Sequence, residues 1–183
     1  MVTRARERLV DAAGALFYRD GINATGIDRV IARAGVAKAS LYNNFAGKDE
    51  LVAAYLEQRL DQVTRLLDEL DAAYPPSRRV DAFLAHLEHA ARRGTVRGCA
   101  FANAAIEVSS DSLARTVITR FYDRLERFFT DALGADAREP DVRQLVICYD
   151  GAMAIAAAWD DPAVFTAARA MAHAVARGAT RDE

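Results

Sequence analysis

The stretch "AGVAKASLYNNFAGKDEL", residues 34–51, decides how this chain is read. Gly35 lies between two short segments whose apolar residues recur at helical spacing: Val30, Ile31 and Ala34 before it, Leu41 and Phe45 after it. Glycine is best able to take the left-handed backbone of a tight turn, and Val36 can plug the angle between two helices. With Leu41 and Phe45 turned inward, Lys38, Ser40, Tyr42, Asn43 and Asn44 are left outside with no core to join. A helix, a glycine turn and a second helix exposing donors form a helix-turn-helix, whose second helix enters the major groove. The residue types suit that task. Asn pairs bidentately with adenine, Lys and Ser reach phosphate or guanine, and Tyr offers a hydroxyl to phosphate and a ring edge to a thymine methyl. Topology alone also admits an ordinary three-helix miniature core.

Upstream, Leu9, Ala12, Ala13, Leu16 and Phe17 share one face of a first helix that Asp20-Gly21 ends. Thr25-Gly26-Ile27-Asp28 has the T-x-x-D form of a helix start, so the Thr25 hydroxyl is expected to accept from the Asp28 amide. Arg4, Arg6 and Arg8 read as a frayed basic arm near phosphates, and Arg29 and Arg33 as solvated surface.

Downstream, Leu51, Tyr55, Leu56, Leu60, Val63, Leu67 and Leu70 predict a helix over 48–70, which at roughly twenty residues spans about 30 Å. "YPPS" at 74–77 interrupts it, with Ser77 placed to cap the next helix, and marks an internal seam. Further helices are predicted over about 80–93, 100–108, 111–133 (closed by Gly134), 140–159 and 162–177, the last with Asp161 as N-cap and Pro162 at the first helical position. The fold class is all-α, with about nine helices.

A 52% apolar and 27% charged composition over 183 residues is that of a globular chain able to bury a core. No apolar run reaches the roughly 18 residues of a membrane span, and the amphipathic start is unlike a secretory leader, so a cytoplasmic location is expected. Residues 1–50 hold eight Lys and Arg against six Asp and Glu, a mild excess that permits nucleic-acid contact without demonstrating it. Cys99 and Cys148 stand outside any CxxC or Cys/His spacing, and His86 and His89 have no third ligand at helical spacing, so no metal and no cofactor are expected.

From Leu9 to Tyr55 the chain resembles the tetracycline-repressor (TetR/AcrR) family of bacterial transcriptional regulators. The likeness is carried by Leu16-Phe17, Gly21-Ile22, Thr25 and "VIARAGVAKASLYNNFAGKDEL" at 30–51, above all Gly35-Val36, Leu41-Tyr42, Phe45 and Lys48. Asn44 departs from the His usual there; it can donate but cannot carry positive charge.

The resemblance implies a helix-turn-helix domain over 1–47 and a helical effector-binding and dimerisation domain over 48–183. Its DNA contacts would be Thr25, Lys38, Ala39, Ser40, Tyr42, Asn43, Asn44 and Lys48, with Thr25 serving as cap, phosphate ligand or both. It further implies a repressor that binds double-stranded DNA at a pseudo-palindromic operator, released by a small-molecule effector, and a homodimer in which the last two helices pair across a two-fold axis.

In the C-terminal part, "RGCAFANAAIE" at 97–107 looks most like relatives of this kind. Asn103 and Glu107, four apart, are either polar anchors in a pocket or plain helix surface. Phe121, Tyr122, Leu125, Phe128 and Phe129 form an aromatic stripe, core by default, and the family pocket is a hollow in such a core. The expected ligand set is Phe101, Asn103, Glu107, Phe121, Leu125, Phe128 and Tyr149. The small residues of "DGAMAIAAAW" at 150–159 and of the helix after it read as an oligomer face, or as closure of the monomer core. A carboxylate-metal bundle enzyme would need E-x-x-H pairs, which the sequence lacks. A helical adaptor that has lost DNA binding is the other rival reading.

Overall fold

The computed structural model describes residues 2–179. Among these the chain forms helices and turns only: α1 (Val2–Asp20), α2 (Ile27–Ala34), α3 (Lys38–Tyr42), α4 (Lys48–Ala73), α5 (Pro76–Arg92), α6 (Ala100–Glu107), α7 (Leu113–Leu133), α8 (Glu139–Trp159) and α9 (Val164–Ala179), with a 3₁₀ turn at Gly134–Asp136. No described helix is long and apolar enough to cross a membrane.

The chain divides into two compact units. The first takes the chain as far as Gln62 together with Ala100–Phe121; the second takes Val63–Cys99 and the chain from Tyr122 onward. Thus α4 and α7 each begin in the first unit and end in the second.

In the first unit, α1 lays Leu9, Ala13, Leu16 and Phe17 against Val30 and Ala34 of α2, Leu41 of α3 and Phe45, all at most 4% exposed. Each large side chain so buried contributes about 1.5–3 kcal/mol of transfer free energy. Phe17 meets Tyr55 of α4 edge-on at 5.8 Å. A Cβ at Gly14 would stand 3.0 Å from the Tyr55 ring, so α1 and α4 can approach this closely only because Gly14 lacks one. Phe101 of α6 stacks flat on Phe121 of α7 at 3.9 Å.

The second unit is centred on Phe83 of α5, whose ring contacts Phe128, Phe129 and Tyr149 at 5.6–6.2 Å. α9 is tied to α5 by a bidentate pair, Arg169 donating to both Asp81 oxygens at 2.8 and 3.0 Å. α8 ends at Asp160, a non-glycine residue in the left-handed region (φ 51°, ψ 38°), which its short polar side chain tolerates.

Three expected helix starts move. Ser77 does not cap α5: Pro75 precedes the helix and Pro76 occupies its first turn, where a missing N–H is harmless. α9 begins at Val164 because Asp161 accepts from the Ala163 amide at 2.8 Å and Thr166 N donates to Ala163, making a turn ahead of the helix. α2 begins after Gly26, not Thr25, and the Thr25 hydroxyl donates backward to the Gly21 carbonyl at 2.7 Å.

Candidate nucleic-acid interface

The turn between α2 and α3 is built on Gly35, at φ 60° and ψ 42°. Gly35 N donates to Ala32 O at 3.2 Å and Val36 N to Ile31 O at 3.4 Å, closing the end of α2. From the other side Arg8 Nη2 donates to the Gly35 carbonyl at 3.0 Å. Arg6 lies over the Phe45 ring at 5.1 Å. The expected frayed arm is therefore corrected: α1 is helical from Val2, and Arg6 and Arg8 brace the turn and the segment after α3. Arg29 is exposed, as expected, and pairs with Asp20 at 2.7 Å.

Leu41, fully buried, anchors α3. Around it Lys38, Ala39, Tyr42 and Asn43 are exposed, Tyr42 by 55% of its surface, while Ser40 and Asn44 are half-buried. Neither α2 nor α3 has a side-chain cap at its start: Gly26 and Ala37 precede them, and no side-chain hydrogen bond is made there. Lys38 Nζ rests 3.1 Å from Asp28 Oδ1, which raises its pKa, but both side chains are largely exposed. Such a pair is worth little and gives way readily to a phosphate. Asn44 Nδ2 donates to Ser40 O at 2.7 Å, so this amide closes the end of α3.

Lys48 opens α4, where the macrodipole disfavours a cation and favours an anion beside it. Glu50 stabilises that start by accepting from Ala46 N at 2.6 Å. Thr25 stands apart from the outward set: it is fully buried and its hydroxyl faces Gly21, so in this conformation it is not presented to a phosphate.

The expected ligand residues fall into two groups. Phe101, Asn103, Glu107 and Phe121 belong to the first unit; Leu125, Phe128 and Tyr149 belong to the second. Asn103 is exposed on α6. Glu107 is held by the protein itself, accepting from the amides of Ile22 at 3.1 Å and Asn23 at 2.7 Å. Nothing in the spacing of the sequence announced this role, though a carboxylate at the last residue of a helix was already at odds with the macrodipole.

Tyr122, part of the aromatic stripe but not of the expected ligand set, meets Asp150, which that set also lacks. Tyr122 donates to Asp150 Oδ2 at 2.7 Å, and the Cys99 thiol is a second neighbour of this buried carboxyl. Burial pushes the Asp150 carboxyl above its usual range, and burial likewise raises Tyr122 and Tyr149. Among the described residues no three His, Cys, Asp or Glu side chains converge as a metal site.

Residues 9–55 match the family model described as bacterial regulatory proteins, tetR family. The fold is that of a TetR-family transcriptional regulator from Streptomyces coelicolor, 30% identical, with a TM-score of 0.88 over 98% of this chain and 97% of that one. The chain belongs to the TetR family. TetR-family regulators bind DNA through the helix-turn-helix that α2 and α3 form here. The HTH-type transcriptional repressor DhaR of a Mycobacterium species is 26% identical over 125 residues, 67% of this chain and 62% of DhaR, so this chain spans less than two thirds of that relative's length. A TetR-family regulator from Agrobacterium tumefaciens, 20% identical, shares the fold with a TM-score of 0.82 over 93% of this chain and 96% of that one.

Proposed function

We propose that this TetR-family protein is a dimeric repressor that reads a pseudo-palindromic operator and is released from it by a small-molecule effector. The observation that carries the reading is α3 itself: one buried anchor, Leu41, under a surface of Lys38, Ala39, Tyr42 and Asn43. Asn43 is the base-reading residue, whereas Lys38, Ser40, Tyr42 and Lys48 serve phosphate or neighbouring bases. Asn44 acts by closing α3, and Thr25 by shaping the loop before α2. One short helix reads too few bases for useful specificity, and two-fold symmetry doubles the readout.

The second copy is placed on α8 and α9. There Ile147, Trp159 and Met171 are 59–71% exposed around an apolar groove of about 470 Å³. Contiguous apolar surface of this kind marks a contact site. The effector is placed in the second unit, against Leu125, Phe128 and Tyr149, with the Tyr122–Asp150 pair as its polar anchor. A buried carboxyl between the Tyr122 hydroxyl and the Cys99 thiol suits a ligand that donates a hydrogen bond to it. Release is a population shift, limited by the effector's differential affinity for the two states.

The test is selection of bound duplexes from a random pool, followed by light scattering. A recovered dyad motif and a dimer at micromolar concentration are expected. A monomer, or a footprint without a dyad, refutes the symmetric reading, and failure to select any duplex leaves the adaptor reading in its place.

A further inference from the structure

We infer that Glu107 is a positioning residue for DNA binding: it fastens the end of α6 to the loop that aims α2, and this clasp sets the pose of the reading head. The inference rests on the DNA-binding reading above and assigns a residue remote from the groove-facing surface to it.

Glu107 is the last residue of α6, where the helix macrodipole repels a carboxylate, so other groups must hold it there. Those groups lie more than 80 residues away in sequence. Oε1 accepts from Ile22 N at 3.1 Å, Oε2 accepts from Asn23 N at 2.7 Å, and Asn23 Nδ2 donates to the Glu107 carbonyl at 3.3 Å. Two of the three are charge-assisted bonds to backbone, which fix the course of the chain and not merely a side chain. Gly21 completes the fit. It sits at φ +92°, and a Cβ there would stand 3.3 Å from Oε2, so the carboxylate lies flush against the loop.

The loop held in this way leads directly into α2, and the left-handed turn at Gly35 then carries its direction into α3. Within the loop, Thr25 ties back to Ile22 and Gly21, so a shift at residues 22 and 23 is passed on to Gly26. A hollow of about 100 Å³ adjoins the clasp, lined by Ile22, Asn23, Lys48, Asp49 and Glu107 among others. It leaves room for the loop to move once released. Lys48, the phosphate residue at the head of α4, borders the same hollow. A head that samples several poses binds with its affinity reduced by the fraction competent to dock.

The test compares Glu107→Ala and Glu107→Gln with the wild-type protein, using fluorescence anisotropy on the duplex that the wild type selects. Hydrogen exchange of the Ile22 and Asn23 amides is followed in parallel. Glu107→Ala is expected to weaken binding by about tenfold, as the fraction competent to dock falls to about one tenth. The slope of log affinity against log salt should stay unchanged, because no phosphate contact is removed. Both amides should lose protection at a temperature where circular dichroism shows the helices intact. Glu107→Gln should fall between, since its amide keeps one acceptor and turns a donor toward the other N–H. Wild-type affinity in a folded Glu107→Ala protein, or a flattened salt slope, overturns the inference. If Glu107→Ala does not fold, wild-type affinity in Glu107→Gln does the same. Failure of the wild type to select any duplex is distinguishable from these results, because it removes the DNA-binding reading and this inference with it.

Discussion

Replacing Gly35 by Ala tests the reading head at its hinge, and the structure supplies the size of the effect. Gly35 holds φ 60° and ψ 42°, a conformation that costs an L-residue about 1–2 kcal/mol. The substitution also stiffens the unfolded chain, which offsets part of that cost by about 0.4–1 kcal/mol. The backbone contribution is therefore a net loss of about 1 kcal/mol. A second contribution comes from Arg8, whose Nη2 would lie 2.7 Å from the new Cβ. The end of a flexible side chain can move aside, but in doing so it gives up its 3.0 Å bond to the Gly35 carbonyl, worth about 1 kcal/mol. Gly35→Ala should thus destabilise the protein by about 2 kcal/mol, or lower Tm by about 4–8 °C for a chain of this size. Urea unfolding followed by circular dichroism should show a reduced midpoint with an unchanged slope. A double-mutant cycle separates the two contributions: in an Arg8→Ala background the same substitution should cost only about 1 kcal/mol. If Gly35→Ala unfolds within about 0.5 kcal/mol of the wild type, the left-handed turn is not what holds α2 and α3 together. A cycle that shows no coupling would instead acquit Arg8.

Asn43→Ala should relax preference at one position per half-site at a cost of about 1–3 kcal/mol, and Lys48→Ala should weaken all duplexes alike with a shallower salt slope; titration of selected and scrambled duplexes across salt separates them. Trp159→Ala combined with Met171→Lys, both on the exposed α8–α9 face, should yield a folded monomer by light scattering with operator affinity reduced at least about tenfold. Burial raises the Asp150 carboxyl pKa above its ordinary 3.8, so the folded state binds that proton more tightly than the unfolded chain. Its contribution to stability is then fullest below that value and declines as pH rises through the raised pKa. Asp150→Asn should accordingly show a Tm advantage over the wild type that is greater at pH 7 than at pH 4 in matched thermal melts.

The helix-turn-helix was legible because its signals are local. Leu41 and Phe45 lie inward, Gly35 is left-handed, and Tyr42 and Asn43 lie outward as their spacing required. Misreadings arose where one side chain had two geometrically adequate partners. Thr25 could cap forward onto the Asp28 amide or bond back to Gly21, and burial of the residue selected the second. Asn44 looked like an exposed donor, yet the carbonyl one turn back claimed it. Glu107 and Arg8 were beyond reach for a different reason: their partners are backbone groups 85 and 27 residues away, and backbone groups leave no residue-type signature in a sequence. Of the expected ligand residues, the buried aromatics followed from their helical stripe, whereas the Tyr122–Asp150 pair could not be matched without knowing that α7 and α8 bring them together.

The bare start of α2 bears on how far this protein could be hardened by design. Gly26 has an extended backbone, φ −77° and ψ 151°, open to any residue, and a Cβ there would meet nothing within 4 Å. Serine or aspartate at that position would fit without strain, give the first amides of the helix a side-chain acceptor and add a few tenths of a kcal/mol of stability over glycine. An engineer seeking thermal tolerance would choose this site early. The same amides point out of a helix that stands beside the groove-reading surface, so an internal acceptor would occupy the place of an incoming phosphate oxygen. A more heat-resistant variant made in this way would grip its operator less well, a trade in which durability and readout draw on the same few N–H groups.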